Sequence, residues 1–259
     1  MSEFIEFRIE DGVGIIRLNR SEKYNSFVRE MALALQNTLK TCAKNDDVRA
    51  IYLTGNGKAF CAGQDLAEAI DPKGPELTKI VSEHYNPIIE QIRNIEKPVV
   101  CGVNGVAAGA GANIALACDI TFAAESASFI QAFSKIGLIP DSAGTFFLPR
   151  IIGMQKATAL MMLGDKISAA DAEKMGMIYK VIVDESLEIE ALKTAKVLAK
   201  MPTFGLGLTK RALNASFQND LTAQLKLEDQ LQTMAGNSYD YSEGVNAFLE
   251  KRKPEFKGR

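Results

Sequence analysis

The sequence predicts an α/β fold with crossover connections, and three features lead to that prediction. β-rich apolar runs alternate with stretches of helical periodicity through the first half of the chain. Turn-forming residues separate them, as at Asp11-Gly12 and Gly55-Asn56-Gly57. The 259 residues are 47% hydrophobic, enough to bury a substantial core without disulfide or metal staples.

Taken in order, residues 4–9 alternate apolar and polar side chains, the pattern of a half-buried strand. After the Asp11-Gly12 hairpin signal, residues 13–18 read as a second strand. Over 26–44, Phe27, Met31, Leu35 and Leu39 fall near one face of a helix. Residues 48–53 are a β-rich run, and 67–75, interrupted by Pro and Gly, read as a loop. Residues 77–95 read as one long helix, 98–102 as a short buried strand, 113–118 as helix and 120–123 as strand. Apolar and polar residues mix over 129–136, where the pattern leaves helix and strand open. Beyond Gln155 the chain reads as helical, with one β-like run at 181–183. Ser168 would cap a helix there, with Asp171 adding acidic charge at its third position. Leu192, Ala195, Val197 and Leu198 give the C-terminal third an apolar face that needs a partner, and 254–259 form a charged tail.

Thirty basic and 32 acidic residues leave a net charge of −2 with no single-sign block. Neither nucleic acid nor an anionic membrane is an attractive partner for such a surface. The acidic start, residues 1–8, has no apolar core resembling a secretion signal. The longest apolar stretch, 99–117, is rich in Gly and Ala and interrupted by Asn104 and Asn113, so it reads as buried protein rather than a membrane span. Cys42, Cys61, Cys101 and Cys118 form no CxxC pair, and His84 is the sole histidine, so no metal site is expected. Without a secretion signal the thiols read as reduced and the chain as cytoplasmic.

Three segments have the composition of a site. Residues 59–66 (AFCAGQDL) follow a buried strand and a Gly-rich turn. Small residues around Gly63 let backbone N–H groups approach a ligand, and Asp65 suits a cap of the next turn; an ordinary strand-to-helix connection explains the same residues. Residues 105–113 (GVAAGAGAN) are small apart from Val106 and Asn113. They fit tight helix packing, or a helix start whose unpaired N–H groups and dipole meet a negative oxygen. No GK[ST] follows, and the third glycine of a dinucleotide fingerprint is missing. Residues 137–145 (GLIPDSAGT) set Asp141 between an apolar run and a small-residue turn. Two roles stay open for it: a helix cap, or a carboxylate in an apolar pocket with its pKa raised by burial.

In order and spacing, these segments, with residues 19–25, 99–117 and 137–150, resemble the crotonase (enoyl-CoA hydratase/isomerase) superfamily from about Ile5 to Phe256. The resemblance implies an α/β, ClpP-like spiral of β-β-α units over residues 1–200 and a C-terminal helical trimerisation region over 201–259. It implies an acyl-coenzyme A thioester as substrate, a homotrimer or homohexamer, and no cofactor beyond the coenzyme A of the substrate. By motif position the backbone N–H groups of Gln64 and Ala110 form an oxyanion hole. Arg20, Lys23, Tyr24, Ala62, Asp65 and Leu66 match positions that hold coenzyme A. Phe248 and Lys251 match positions that reach its nucleotide, often from a neighbouring subunit. As residues, Lys23 and Lys251 fit solvated surface equally well.

Departures from the family pattern narrow the chemistry. Where hydratases carry two glutamates, this chain has Asn113 and Phe133. Water addition needs paired acid/base groups, so hydration is disfavoured. Asp141 falls where isomerases keep their acidic group. Residues 85–87 (Tyr-Asn-Pro), 105–117 and 130–141 resemble the branch that isomerises ring-1,2-epoxyphenylacetyl-CoA to an oxepin and moves double bonds in enoyl thioesters. The implied activity is acyl-CoA isomerisation with Asp141 as the single acid/base. Asn113 orients Asp141 or a substrate oxygen, or packs inside a helix. Phe133, Phe146 and Phe147 wall an acyl pocket or belong to the core. Three alternatives stay open: a hydratase, a non-catalytic coenzyme A-binding protein, and a hydrolase or dehalogenase with Asp141 as nucleophile. The last chemistry uses a histidine base and a tryptophan in this superfamily, whereas this chain has no Trp and only His84.

Overall fold

The computed structural model describes residues 3–259; Met1 and Ser2, at the start of the acidic N-terminal stretch, lie outside the described residues. Strand β1 (Ile5–Glu10) turns through Asp11 and Gly12, both at positive φ, into β2 (Val13–Leu18), and the two pair antiparallel. From there the chain winds through two sheets. β3 (Ala50–Gly55) joins a large sheet and β4 (Ala59–Cys61) a small one. β5 (Val99–Val103) and β6 (Val106–Ala108) repeat that step, as do β7 (Ile120–Ala124) and β8 (Ser128–Ile130). With β9 (Lys166–Ser168) and β10 (Lys180–Ile182), the large sheet runs β1-β2-β3-β5-β7-β10 and the small one β4-β6-β8-β9. Each turn sets one strand in each sheet and returns through helix, which is the expected α/β spiral of β-β-α units. The pairings β3–β5, β5–β7, β4–β6 and β6–β8 are all parallel, and parallel neighbours require such crossovers.

The core sits on the large sheet. Every residue of β3 and β5 is buried, the signature of parallel strands covered on both faces. Helix Arg29–Lys44 buries Met31, Leu35, Leu39 and Cys42 along one stripe. It starts later than its periodicity predicts because Phe27 is held in an extended bridge with Gln64. Helix Leu187–Ala199 lies against β3, β5 and β7. This corrects the expectation that Leu192, Ala195 and Leu198 await a partner chain: Ala195 is fully buried and both leucines pack on the core, leaving only Val197 exposed.

Other local differences have local causes. Residues 67–75 do not form one loop, because Leu66–Ile70 make a helical turn whose first N–H groups are served by Asp65: its Oδ1 accepts from Ala67 N at 2.9 Å. The predicted helix over 77–95 is instead a short turn, Leu77–Lys79, a π-helical segment, Ile80–Tyr85, and a helix, Asn86–Asn94. Pro87 has no N–H to offer the Glu83 carbonyl, and the Gln36 amide fills that place, donating to Glu83 O at 2.7 Å and His84 O at 3.0 Å. The ambiguous residues 129–136 divide into the end of β8 and a 3-10 turn, Ala132–Ile136. Strand β9 escapes detection because it is three residues long. Ser168 caps its helix as expected, accepting from Asp171 N at 3.1 Å.

Three helices, Thr203–Ser216, Leu221–Gly236 and Tyr239–Leu249, end the chain. The charged tail is bound back on them: the buried Asp240 accepts the Lys257 and Gly258 N–H groups at 2.6 and 2.7 Å, and Arg49 donates to Phe256 O at 2.9 Å. Among the described residues no helix is long and apolar enough to cross a membrane.

Candidate active site

The three segments singled out in the sequence meet at one cavity of about 220 Å³, lined by Gly63, Gln64, Gly109, Ala110, Phe133 and Asp141 together with Ile80 and Tyr85. Pairing of β4 with β6 brings the first two segments side by side. A Cβ at Gly63, where φ is +91°, would lie 3.0 Å from Ala108 O and 3.6 Å from Ala110 N, so the small residue permits that approach. Phe27 N donates to Gly63 O at 2.7 Å, and Asp65 N donates to Phe27 O at 2.9 Å. Successive backbone groups alternate in direction along such an extended strand, so the intervening Gln64 N–H turns to the opposite side. Ala110 opens the helix Ala110–Ala117, and Gly109, at φ +53°, makes the sharp entry. The Ala110 N–H is one of the first-turn donors without an intrahelical acceptor, at the positive end of the dipole. This helix is buried on every side, and Gly111 packs so closely on the Cys61 carbonyl that a side chain there would collide.

Asp141 approaches from the third segment. The two residues after it, Ser142 and Ala143, both take left-handed conformations, at φ 50° and 57°. Non-glycine residues resist that conformation, so the turn needs support. Asn113 supplies it: its Nδ2 donates to the Asp141 backbone carbonyl at 2.8 Å, and its Oδ1 accepts from Gln131 Nε2 at 2.8 Å. Gly144 N also donates to the Asp141 carbonyl, at 2.9 Å. Asn113 therefore bonds the backbone of Asp141 from inside a fully packed helix. The cap reading for the Asp141 side chain fails: the following helix, Gly144–Ile152, has Ala143 at its cap position and no side-chain cap. The carboxylate instead accepts from the Ser142 hydroxyl at 2.8 Å. Burial raises the pKa of Asp141, and the Ser142 hydrogen bond opposes that rise.

Phe133 is buried and faces this cavity, close to Gly109. Phe146 and Phe147 do not line it; of the two readings left open for them, acyl-pocket wall and core, the structure gives the core. Helix Gly144–Ile152 aims them at Phe217, with ring centroids 5.5 and 6.4 Å away, under the guanidinium groups of Arg150 and Arg93. His84 is wholly buried, with Nε2 3.1 Å from Arg29 Nη1, and it is not among the residues of the cavity wall. Burial and then the Arg29 charge lower its pKa.

The residues matched to coenzyme A divide into groups. Ala62 and Leu66 border the cavity, and Leu66 is exposed at its rim. Lys23 and Tyr24 are exposed on the adjacent turn, where Tyr24 O accepts from Ala62 N at 3.0 Å. Arg20 and Asp65 pair with each other at 2.7 Å, and Arg20 also donates to Ser26 O and Oγ. This pairing braces the loop beside the cavity. Phe248 and Lys251 are exposed, and Phe248 lines a separate groove with Pro202 and Tyr241. Tyr85 and Ile80, to which the sequence assigns no role, also line the cavity; they bound the π-helical stretch that ends where Pro87 opens helix Asn86–Asn94.

Residues 8–259 match the family model for enoyl-CoA hydratase/isomerase. The chain is 50% identical to 1,2-epoxyphenylacetyl-CoA isomerase of Escherichia coli (strain K12), with 100% of each chain covered. It is 34% identical to trans-2-decenoyl-[acyl-carrier-protein] isomerase of Streptococcus mutans, with 98% of each covered. The crystal structure of enoyl-CoA hydratase from Bacillus anthracis superposes with a TM-score of 0.92 at 34% identity, covering 99% of this chain and 100% of that one. Spiral fold, full-length match and converging segments agree, and the chain belongs to the enoyl-CoA hydratase/isomerase (crotonase) family of enzymes.

Proposed function

We propose that this enzyme is an acyl-CoA isomerase in which Asp141 moves the proton and the Gln64 and Ala110 N–H groups hold the thioester oxygen. One observation leads to this reading: a single half-buried carboxylate with a raised pKa lines the cavity, while Asn113 and Phe133 stand where a hydratase keeps its glutamates. The two N–H groups acidify the carbon beside the carbonyl by stabilising the enolate as it forms. Donors of this kind are worth roughly 3–4 kcal/mol each when preorganised. Asp141 takes a proton from one carbon and returns it to another, so the reaction balances without water or a second acid. The mainly apolar wall, with Leu77, Ile80, Phe133 and Leu138, suits a hydrocarbon or aryl acyl group. The likeness to the ring-epoxide isomerase favours an aryl-acetyl-CoA epoxide, converted to its oxepin; the likeness to the decenoyl isomerase favours a shift of a chain double bond.

In this reading Lys23, Tyr24, Ala62 and Leu66 hold coenzyme A within the chain, and Phe248 and Lys251 reach its nucleotide from the next subunit of a trimer. The test is a substrate panel of 3-hexenoyl-CoA, ring-1,2-epoxyphenylacetyl-CoA and crotonyl-CoA, followed by absorbance and mass. The expected outcome is isomerised product of unchanged mass from one or both of the first two. Crotonyl-CoA gaining a water faster than about 10 per second, near the median enzyme turnover, would overturn the reading of positions 113 and 133.

A further inference from the structure

Tyr85 and the side chain of Gln64 both face the cavity, have no part in the proton transfer above, and are bound to each other. The Tyr85 hydroxyl donates to Gln64 Oε1 at 3.0 Å. Gln64 Nε2 donates to Glu68 Oε2 at 2.9 Å, and Glu68 Oε1 accepts from Arg29 N at 2.9 Å. The Gln64 amide is thus held at both ends, by a phenol on one side and a carboxylate on the other. Tyr85 is 1% exposed, and its ring packs against that of Phe27, with centroids 5.8 Å apart. Phe27 is the residue whose backbone brackets Gln64. Burial pushes the pKa of the Tyr85 phenol up, so its proton stays available to the Gln64 oxygen. The segment that presents Tyr85 is the π-helical stretch Ile80–Tyr85, tied to helix Arg29–Lys44 through Gln36.

We propose that Tyr85 is a positioning residue for the oxyanion site: by pinning the Gln64 side chain it fixes the backbone of Gln64, and with it the direction of the N–H that meets the thioester oxygen. The proposal rests on the isomerase reading above. An N–H helps the reaction only when it is aimed at the place where charge develops, and a displacement of about 1 Å from productive geometry costs on the order of 100-fold in rate. The backbone bonds to Phe27 and the ties at Ala62 and Asp65 hold the flanking residues, whereas the Tyr85 and Glu68 bonds hold Gln64 itself. The amide side chain that the backbone mechanism leaves idle thereby acquires a function.

The test compares isomerisation of 3-hexenoyl-CoA by wild type, Tyr85→Phe, Gln64→Leu and the double variant. Tyr85→Phe keeps the ring and its packing on Phe27 and removes only the hydroxyl. We expect kcat to fall roughly 10- to 100-fold in each single variant with KM changed less than about twofold. We expect the double variant to lose no more than the worse single one, because both changes break the same restraint. Wild-type kcat in Tyr85→Phe, a loss confined to KM, or losses that multiply in the double variant would overturn the proposal. Should Tyr85→Phe fail to fold, Gln64→Leu, at a half-buried position, decides by the same kcat criterion. A wild-type protein inactive on every acyl-CoA of the panel overturns the isomerase reading and this proposal with it; an active wild type with unaffected variants overturns this proposal alone.

Discussion

A carboxylate in a mostly apolar wall meets two opposing demands, since it must ionise to take a proton and burial disfavours the ion. Asp141 is held at that balance, with its pKa raised by burial and only the Ser142 hydroxyl to offset it. Two expectations follow at the residue scale. Activity requires the ionised form, so kcat/KM rises with pH through an Asp141 pKa above the ordinary value near ~3.9 and levels off beyond it. Stability runs the other way. The fold favours neutral Asp141, so its contribution is fully present below the ordinary carboxylate pKa and is lost as pH rises through the raised folded value. Asp141→Asn, neutral throughout, therefore melts higher than wild type at pH 7, with the gap closing toward pH 3 or so. Calorimetry across that range checks this, and a variant melting lower than wild type at pH 7 contradicts it. That Asp141, Gln64, Ala110 and Phe133 line one cavity follows the motif order of the sequence, while their roles in the reaction are part of the proposal. The contact of Tyr85 with Gln64 is not legible there, because it joins residues 21 positions apart, which no local pattern encodes.

At the scale of elements, the site depends on a helix start and a strained turn held against each other. Asn113, inside the helix Ala110–Ala117, grips the carbonyl of Asp141, while Ser142 and Ala143 keep left-handed conformations. Asn113→Ala deletes this bond and the one to Gln131, leaving a buried amide unpaired. The expected cost is about 1–3 kcal/mol of stability, and kcat falls as the turn relaxes while acyl-CoA binding holds. Thermal melts with steady-state kinetics check both; unchanged kcat in a stably folded Asn113→Ala would mean that Asn113 serves packing only. The strands with continuous apolar or alternating runs were legible, and so was the helix Arg29–Lys44. The break at Ile80–Tyr85 was not, because it needs Gln36 from another helix to satisfy the Glu83 carbonyl that Pro87 leaves open. The helical turn after Asp65 and the three-residue β9 were hidden for a simpler reason: elements of that length set up no periodicity.

For the whole molecule, the spiral buries its own sheets, and the C-terminal helices leave large apolar side chains in solvent. Leu213, Leu221 and Phe248 are 60, 75 and 82% exposed. A surface of this kind predicts association through these helices rather than through Leu192, Ala195 and Leu198, and the family resemblance implies a trimer or a hexamer of paired trimers. Light scattering at micromolar concentration checks it, and a stable monomer contradicts it. Asp141, Gln64 and Ala110 all line a cavity within one chain. In the proposed mechanism Asp141 alone moves the proton, and solvent exchange reads that step without requiring the natural acyl group. Wild type and Asp141→Asn are incubated with 3-hexenoyl-CoA in D₂O, and deuterium at the carbon beside the carbonyl is followed by mass. Steady incorporation is expected with wild type, and a loss of about 10² to 10⁴-fold in a folded Asp141→Asn. Exchange at the wild-type rate in Asp141→Asn would mean that another group is the base.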